Sequence, residues 1–263
     1  MTCPPLYLAS SSPRRSELLT RAGITFERLL APIDEDALSA SFSGPLERLG
    51  EYLAREKALA ALRMLAEAGR QGRVLASDTT VLLDGRSLAK PRDLAEAETM
   101  LRMLRGREHI VATGVALAGD DPESIVSASS STRVLMREFS DAEIAVYVAT
   151  GDPLDKAGAY SIQHPDFSPV ERIMGCHLGV IGLPICLVGV LLGQWPSEAP
   201  ECETSPGISP LCFWSSTCSA PLPAAASIRR MPIMPNTLVV ARSTVCKNSL
   251  SYKLSTRKRA CPS

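Results

Sequence analysis

Apolar segments of two kinds alternate along the first 195 residues of the chain. Short runs rich in β-branched residues predict strands, over residues 6–9, 74–83, 109–117, 125–136 and 159–162. Longer segments with apolar positions at helical spacing predict helices, over residues 13–22, 45–68, 94–104, 140–149 and 184–192. Because helices alternate with strands and some strands are joined by hairpins, we predict an α/β fold with a mixed sheet.

Cap and turn residues mark the ends of several of these elements. Ser12 followed by Pro13 is typical of a helix start, and Asp93 is a capping residue of the same kind. Ser140 and Glu143 have the spacing of a capping box. Asp84-Gly85 is a strong hairpin signal and predicts a tight turn after strand 74–83.

Residues 178–192 are apolar enough to raise the question of a membrane span. A spanning helix needs roughly 20 apolar residues. This segment is shorter, and three glycines and a proline interrupt it. We therefore predict a buried strand, turn and helix, and no membrane span.

The pattern changes after Trp195. Residues 196–263 hold nine prolines, twelve serines and five of the eight cysteines, with no sustained apolar period. They carry a net charge of +5, whereas residues 1–195 carry −5. We predict that residues 1–195 form the folded domain and that residues 196–263 are a Pro/Ser/Cys-rich, disordered C-terminal extension. The alternative is a cationic partner-binding tail built on residues 257–259.

The charges of the 263 residues balance, with 28 Lys and Arg against 28 Asp and Glu. Such a balance argues against a protein that mainly binds nucleic acid or an anionic membrane, so we expect neither as a partner. Any phosphate would have to be bound by a local cluster of donors. The chain opens without a basic segment and apolar run of the secretory type, so we expect a cytoplasmic protein.

One cluster of donors lies at residues 10–15, Ser-Ser-Ser-Pro-Arg-Arg, between a predicted strand and a predicted helix. Backbone N–H groups at a helix start lack partners, and the helix dipole favours an anion there. The Ser10 hydroxyl and the guanidinium groups of Arg14 and Arg15 add donors of the kind that phosphate prefers. A capped helix with two solvated arginines explains the local pattern equally well.

Two charged residues occupy positions where an isolated charge is costly. Lys57 falls in the apolar stripe of helix 45–68, so its ammonium either snorkels to the helix edge or points into a cleft toward a negative group. Asp78 lies in the middle of an apolar strand and needs a cation, a metal or structured donors. Taken alone, Asp78 is as consistent with a structural role as with a functional one.

The other charged candidates lie in loops. Lys90 precedes Pro91, which favours an extended backbone, and Lys156 lies in a loop bounded by glycines. The acidic triplet at residues 34–36 has the composition of a solvated turn. With the arginines and Lys57, these residues supply about five cations and a few carboxylates, which is the set that a polyphosphate with a divalent cation requires.

Several of these segments together resemble a known family. The matching segments are LASSSPRRSELL at 8–19, AREKA at 54–58, SDTTV at 77–81, KP at 90–91, DKAGAYSIQ at 155–163 and GLP at 182–184. In this order and spacing the chain resembles the Maf family of nucleoside triphosphate pyrophosphatases. The resemblance extends from about residue 6 to about residue 193, nearly all of the predicted domain.

This resemblance implies a fold and a reaction. The fold is a two-lobed α/β structure with a long mixed sheet, related to the inosine triphosphate pyrophosphatase architecture, with the site in a cleft between the lobes. The reaction is hydrolysis of a nucleoside triphosphate substrate to the monophosphate and pyrophosphate with a divalent metal cation, Mg or Mn, in a homodimer. The late loop is similar to that of the branch acting on dTTP and UTP, rather than the branch acting on 7-methyl-GTP.

The resemblance also implies roles for individual residues. Asp78 would accept a proton and, with Glu35, would bind the metal. Arg14, Thr79 and Gln163 would discriminate between bases. The other residues that it assigns to substrate binding are Ser10, Arg15, Lys57, Lys90 and Lys156.

The sequence departs from the family pattern at two positions. His164-Pro165 follows Gln163 where many members have glycine, and Gly179 stands where asparagine is common. The first departure lies in the loop that, by the family resemblance, would lie beside the nucleotide base. A different class of function is the alternative, a non-catalytic nucleotide-binding regulator of cell division, and the intact set of candidate site residues argues against it.

Overall fold

The structure is a computed structural model that describes residues 4–119 and 124–193 in full, and residues 238–246 and 249–257 as backbone. The last two segments are strands, Leu238–Cys246 and Ser249–Arg257, which pair antiparallel. The sequence pattern indicates no elements there. The predicted disorder of the extension and the alternative of a partner-binding tail concern mainly residues outside the described set, and both stay predictions.

Seven strands form one mixed sheet. They are β1 (Leu6–Leu8), β2 (Glu27–Arg28), β3 (Arg73–Leu83), β4 (Arg86–Leu88), β5 (Glu108–Ala118), β6 (Ile125–Met136) and β7 (Val170–Met174). The order is β2-β1-β3-β5-β6-β7, and β4 pairs with the end of β3. β1 runs parallel to β2 and β3, and the other pairs are antiparallel. The predicted α/β class with a mixed sheet is confirmed.

Seven α-helices lie in the described part of the chain. They are α1 (Pro13–Arg21), α2 (Glu35–Ser41), α3 (Leu49–Glu67), α4 (Leu94–Leu104), α5 (Asp141–Ala149), α6 (His177–Ile181) and α7 (Ile185–Leu191). The predicted cap at Asp93 and the capping box at Ser140 are confirmed, since both side chains accept a hydrogen bond from the expected backbone N–H. None of these helices is both long and apolar enough to cross a membrane.

Two of the predicted strands are wrong. Residues 157–159 form a 3₁₀ turn, and Gly158 and Ala159 both have positive φ, 70° and 60°, which a strand does not accommodate. The strand predicted at the start of segment 178–192 is instead α6, which begins where the Cys176 Sγ accepts a hydrogen bond from Gly179 N. In both places local turn and cap chemistry overrides apolar content. The short elements β2, α2 and β7 were not predicted.

The buried side chains divide into clusters on either side of the middle of β3. Val74 and Leu75 of β3 belong to two clusters on opposite faces of the sheet, one formed with α3 and one with α1 and α7. Val81 and Leu83 belong to a third cluster, formed with α4 and α5. The polar residues 77–80 lie between these cores, which gives the structure the two lobes that the family resemblance implies.

β3 lacks a neighbouring strand along part of one edge in the described structure. β1 pairs with β3 as far as Leu75, and β4 pairs with β3 only from Val81 onward. Residues 77–80 therefore pair only with β5 on the other side. β1 runs parallel to β3 and continues toward Ser10, while β4 runs antiparallel and continues toward Lys90. Both chain segments therefore leave the sheet at this gap, which we call the open edge of β3.

Two glycines allow α3 to lie directly against the sheet behind the open edge. A Cβ on Gly114 of β5 would lie 2.2 Å from the Glu51 backbone N and Cα, and a Cβ on Gly50 would lie 2.9 Å from the Asp78 carbonyl oxygen. Asp78 and Gly114 are partners in the β3–β5 ladder. The first turn of α3 is thereby fixed over Asp78, and Lys57, about two turns later, falls on the same face of the helix.

We predict that Gly114→Ala will lower the free energy of unfolding by about 3 kcal/mol or more, because the new methyl group overlaps the α3 backbone, which has no rotamer with which to yield. Thermal or denaturant unfolding measures the change. Gly179→Ala is the matched control, since its Cβ would meet its nearest neighbour at an ordinary 3.4 Å. Equal stabilities of the two variants would show that α3 is not seated as described.

Candidate active site

Asp78, Lys57 and Glu35 meet on the α3 face of the sheet, beside the open edge. The Lys57 Nζ lies 2.6 Å from Asp78 Oδ1 and 3.1 Å from Glu35 Oε2. The Lys57 and Asp78 side chains are 13% and 12% exposed, and Glu35 is 44% exposed. Of the two sequence-based alternatives for Lys57, the structure therefore shows the one in which the ammonium points toward negative groups rather than snorkelling into solvent.

Glu35 reaches this group because it is the first residue of α2. The Asp34 Oδ1 accepts a hydrogen bond from Ala37 N at 2.9 Å and so caps the helix. The interpretation of residues 34–36 as a solvated turn is wrong, because the acidic triplet provides the cap and the first turn of a helix. Acidic residues are favourable at a helix N-terminus, so composition there is also compatible with a helix start.

The two carboxylates are compatible with a hard divalent cation. Mg²⁺ in proteins commonly uses one or two carboxylates and takes its other ligands from water and substrate phosphates. Asp78 and Glu35 approach the same ammonium, so they also lie close enough to share a cation. Among the described residues no group of three or more His, Cys, Asp or Glu side chains converges, so a metal here would depend on ligands from the substrate.

Arg15 lies on the opposite face of the sheet and binds three separate segments. Its Nε donates to Gly182 O at 2.9 Å, and its Nη1 and Nη2 donate to Ser10 Oγ at 3.2 Å and Thr79 Oγ1 at 3.3 Å. Burial lowers the pKa of Arg15 from its ordinary value, whereas the charges of Asp78 and Glu35 act in the opposite direction. Arg15 thus joins the start of α1 to β3 and to the turn before α7.

Hydroxyl groups line the sheet beside Arg15. Thr113 Oγ1 lies 3.0 Å from Thr79 Oγ1 and donates to Gly179 O at 2.7 Å. The Ser77 hydroxyl lies 2.9 Å from both Gly114 O and Gly182 O. Sequence reasoning did not find Ser77 or Thr113 as site residues, because a buried hydroxyl in a strand has no distinctive sequence pattern.

Arg14 and Lys90 are the cations of the open edge that other residues do not already bind. Arg14 is half-buried and Lys90 is exposed, and neither makes a hydrogen bond or an ion pair with the described residues. The first backbone N–H groups of α1 likewise receive no side-chain cap. Ser12 occupies the N-cap position, but its side chain makes no capping hydrogen bond, contrary to the sequence-based expectation. Cations and unpaired helix N–H groups together favour an anion.

Lys156 is placed differently from the other predicted substrate ligands. It is 6% exposed, and its Nζ donates to Asp152 O at 2.6 Å, Asp152 Oδ1 at 2.8 Å and Asp155 Oδ1 at 2.6 Å. All three acceptors belong to its own loop. These contacts neutralise the ammonium and fix the conformation of the loop. Any role of Lys156 toward the substrate stays a prediction.

The same loop packs against the open edge and ends at Gln163. Gly158 N donates to Ala89 O at 3.2 Å, next to Lys90, and a Cβ on Gly158 would lie 3.0 Å from Val81. Gln163 is exposed, and its backbone N donates to Ser161 Oγ at 3.2 Å. Its side chain is therefore accessible to a nucleotide base, as its predicted role requires.

Tyrosines that the sequence analysis did not single out hold this loop. The Tyr147 hydroxyl donates to Asp152 Oδ2 at 2.7 Å and accepts from Ser161 N at 3.0 Å. Burial raises the pKa of Tyr147, and its hydrogen bond to Asp152 acts in the same direction. The Tyr160 hydroxyl lies 2.7 Å from His109 Nε2 in the core.

His109 is 2% exposed, and burial lowers its pKa to about 4. The ring is therefore neutral at pH 7, and Tyr160, whose pKa burial raises, is neutral as well. This neutral pair anchors the loop to β5.

A separate cavity of about 460 Å³ lies between α2 and α3. Its lining is Pro32, Ile33, Asp34, Ala37, Leu38, Ser41, Glu56, Ala60 and Arg63. None of the residues around the open edge lines it, so this cavity is not the candidate site.

The structure therefore brings six of the predicted residues together around one strand segment, with Asp78, Lys57 and Glu35 on one face and Ser10, Arg15 and Thr79 on the other. Carboxylates, hydroxyls and cations at the interruption of an α/β sheet are groups suited to a phosphorylated ligand and its counter-cation. The chain belongs to the family of Maf-like proteins, whose model matches residues 5–195. The family predicted from the sequence motifs is confirmed.

Curated relatives cover most of this match. The chain is 45% identical over 210 residues to a dTTP/UTP pyrophosphatase of Thermomicrobium roseum, which spans 79% of this chain and 92% of the relative. It is 46% identical over 193 residues to a dTTP/UTP pyrophosphatase of Escherichia coli O157:H7, which spans 72% and 92%. Among solved structures, a HAM1 protein from Coxiella burnetii matches with a TM-score of 0.34 at 16% identity, covering 51% of this chain and 73% of that protein.

We predict that the protein loses about 2 kcal/mol of stability between pH 6.5 and pH 4.5 through His109 alone. The folded-state pKa of about 4 lies below the ordinary 6.5, so in this window the unfolded chain binds the extra proton and acid favours unfolding. Melting temperatures of the wild type and His109→Gln across this range measure the effect. Parallel pH profiles for the two proteins would contradict it.

Proposed function

We propose that the protein hydrolyses nucleoside triphosphates, with dTTP and UTP as its substrates, to the monophosphate and pyrophosphate. One structural observation carries the proposal. Lys57 binds the carboxylates of Asp78 and Glu35 at the open edge of β3, and Arg14 and Lys90 lie at the same edge without partners among the described residues. The names of the curated relatives, dTTP/UTP pyrophosphatases at 45% and 46% identity, supply the substrate class.

A nucleotide that contacts the Asp78 group on one face of the sheet and the Thr79 group on the other has to cross the open edge. Asp78 and Thr79 are consecutive in β3, so their side chains point to opposite faces of the sheet. The triphosphate lies by the N-terminus of α1, where Arg14 and Lys90 donate to its oxygens. This proposal assigns Arg14 to the phosphates, whereas the family resemblance implies a role for it in base discrimination. The base lies on the face of Thr79, with Gln163 exposed at the end of the loop beside it.

Asp78 takes the proton of the attacking water. Water attacks the α-phosphorus, the bond from that phosphorus to the bridging oxygen breaks, and pyrophosphate leaves with the bond electrons. The Lys57 ammonium orients the Asp78 carboxylate, because its Nζ donates to Oδ1 at 2.6 Å. Three of the five N–H donors of Arg15 hold Ser10, Thr79 and Gly182 in place, which leaves two for a substrate oxygen.

A divalent cation, Mg or Mn, is part of the proposal. Asp78 and Glu35 are the residues that would hold it. When bound, such a cation neutralises phosphate charge and polarises the phosphoryl group.

The protein acts in the cytoplasm, where its substrates are made and used, and it works as a homodimer without nucleic-acid or membrane partners. Support comes from the balanced overall charge of the chain and from the family resemblance. Sedimentation of the full chain tests the dimer, and a monomeric enzyme with full activity would remove that part of the proposal.

The experiment that tests the function is a panel of triphosphates assayed for pyrophosphate with Mg or Mn. We expect dTTP and UTP to be cleaved faster than ATP, GTP, CTP and 7-methyl-GTP. Preference for 7-methyl-GTP would assign the protein to the other branch of the family. Nucleotide binding without turnover would instead favour a regulatory protein.

We predict that Asp78→Asn lowers kcat by about 10²–10⁴-fold and leaves nucleotide binding nearly unchanged, because the amide keeps the shape but cannot accept the proton. Pyrophosphate release and nucleotide titration measure the two effects. Asp84→Asn is the control, since Asp84 lies in the hairpin turn after β3 and pairs with Arg107 at the surface. A near-normal rate in Asp78→Asn would remove Asp78 from the mechanism.

We predict that Lys57→Met lowers kcat by about 10²-fold, because Asp78 and Glu35 lose the cation between them while the apolar stem of the side chain is retained. Thermal melting separates this effect from misfolding. If the variant melts like the wild type and also turns over normally, the ammonium serves neither carboxylate in catalysis.

A further inference from the structure

The direction of the hydrogen bonds around Thr79 is determined by the groups at the two ends of a short chain. At one end, the Arg15 Nη2 lies 3.3 Å from Thr79 Oγ1 and can only donate. At the other end, Gly179 O lies 2.7 Å from Thr113 Oγ1 and can only accept. Between them, the two threonine hydroxyls lie 3.0 Å apart, and either of them could be the donor in that pair.

Each hydroxyl has a single proton, so the chain has one arrangement that satisfies every contact. Thr113 is buried, and its proton goes to Gly179 O, because that carbonyl has no proton to offer in return. The Thr79 proton must then go to Thr113 Oγ1. Thr79 Oγ1 accepts from Arg15 and keeps one lone pair unused. Toward the cleft, Thr79 is therefore an acceptor and not a donor.

An acceptor at this position distinguishes pyrimidines by their Watson–Crick edge. Uracil and thymine carry a proton on N3, which can donate to Thr79. Cytosine carries a lone pair on N3, which would face the lone pair of Thr79. A site that directs a fixed acceptor at N3 therefore favours the uracil and thymine edge, and it loses this preference if the hydroxyl becomes free to turn.

We propose that Thr113 is a specificity-positioning residue: by donating to Gly179 it makes Thr79 an obligate acceptor that selects bases with a protonated N3. The inference rests on the proposed function, because it needs the base of the substrate to lie on the Thr79 face. Thr113 itself does not contact the substrate. It acts through Thr79, much as a residue that fixes a histidine tautomer acts through the histidine.

The test is the ratio of kcat/KM for UTP to kcat/KM for two competitors, CTP and the pyrimidin-2-one ribonucleoside triphosphate. The second competitor has an unprotonated N3 like CTP but no group at C4, so it shows whether discrimination persists without the amino group of cytosine. Thr113→Val keeps the side-chain shape and removes the hydroxyl. We expect both ratios to fall by at least about tenfold, since Thr79 can then turn its proton toward N3 of the competitor.

A ratio of two substrates measured on one preparation does not depend on the fraction of folded enzyme. Thr113→Ala provides the same comparison with a smaller side chain, so the result does not depend on one variant folding. Thr113→Ser keeps the hydroxyl and should restore the wild-type ratios. In a Thr79→Val background, Thr113→Val should change the ratios no further, because the group through which it acts is gone.

The outcomes separate this inference from the proposed function. If the wild type does not prefer UTP and dTTP over CTP, the proposed substrate class is wrong. If the wild type shows that preference and neither Thr113→Val nor Thr113→Ala changes the ratios, Thr113 is a structural residue and the inference is overturned.

Discussion

The backbone of a strand needs partners for its N–H and C=O groups on both edges, and in the part of the chain that the structure describes β3 has no neighbouring strand along residues 77–80 on one of them. Strand β1 leaves the sheet just before this stretch and β4 enters just after it, so the two chain segments that carry Ser10 and Lys90 converge on the gap. The buried cores lie to either side of it. The gap is therefore both the boundary between the lobes and the place where a ligand can approach the uncovered edge of β3.

The two faces of the sheet at this gap carry different chemistry because neighbouring residues of a strand point in opposite directions. On one face, α3 lies against Gly114 closely enough to set Lys57 between Asp78 and Glu35. On the other, Arg15 holds Ser10, Thr79 and the Gly182 carbonyl in one hydrogen-bonded group. A nucleotide that spans the edge meets carboxylates and a lysine near its phosphates and oriented hydroxyls near its base.

Much of this could be predicted from the sequence because local signals agreed with one another. The period of the apolar residues predicted α3 and β3, and a charge inside each of these patterns marked Lys57 and Asp78 as residues that needed partners. Their pairing could not be predicted, since it depends on the close approach of α3 at Gly114, 56 residues after the end of the motif that includes Lys57. Thr113 carried no signal, because a threonine in a strand is ordinary. Lys156 matched a motif, yet its nearest partners, Asp152 and Asp155, lie in its own loop.

The central claim is that a nucleotide binds across the open edge of β3, with its α-phosphate beside Asp78 on one face of the sheet and its base beside Thr79 on the other. A crystal structure of Asp78→Asn with dTTP and Mg tests it most directly, because the slow variant keeps the substrate intact. We expect phosphate oxygens within hydrogen-bond distance of Arg14 and of the α1 N-terminus, and N3 of the base beside Thr79 Oγ1. A nucleotide bound in the cavity between α2 and α3, or with its base on the Lys57 face, would contradict the account.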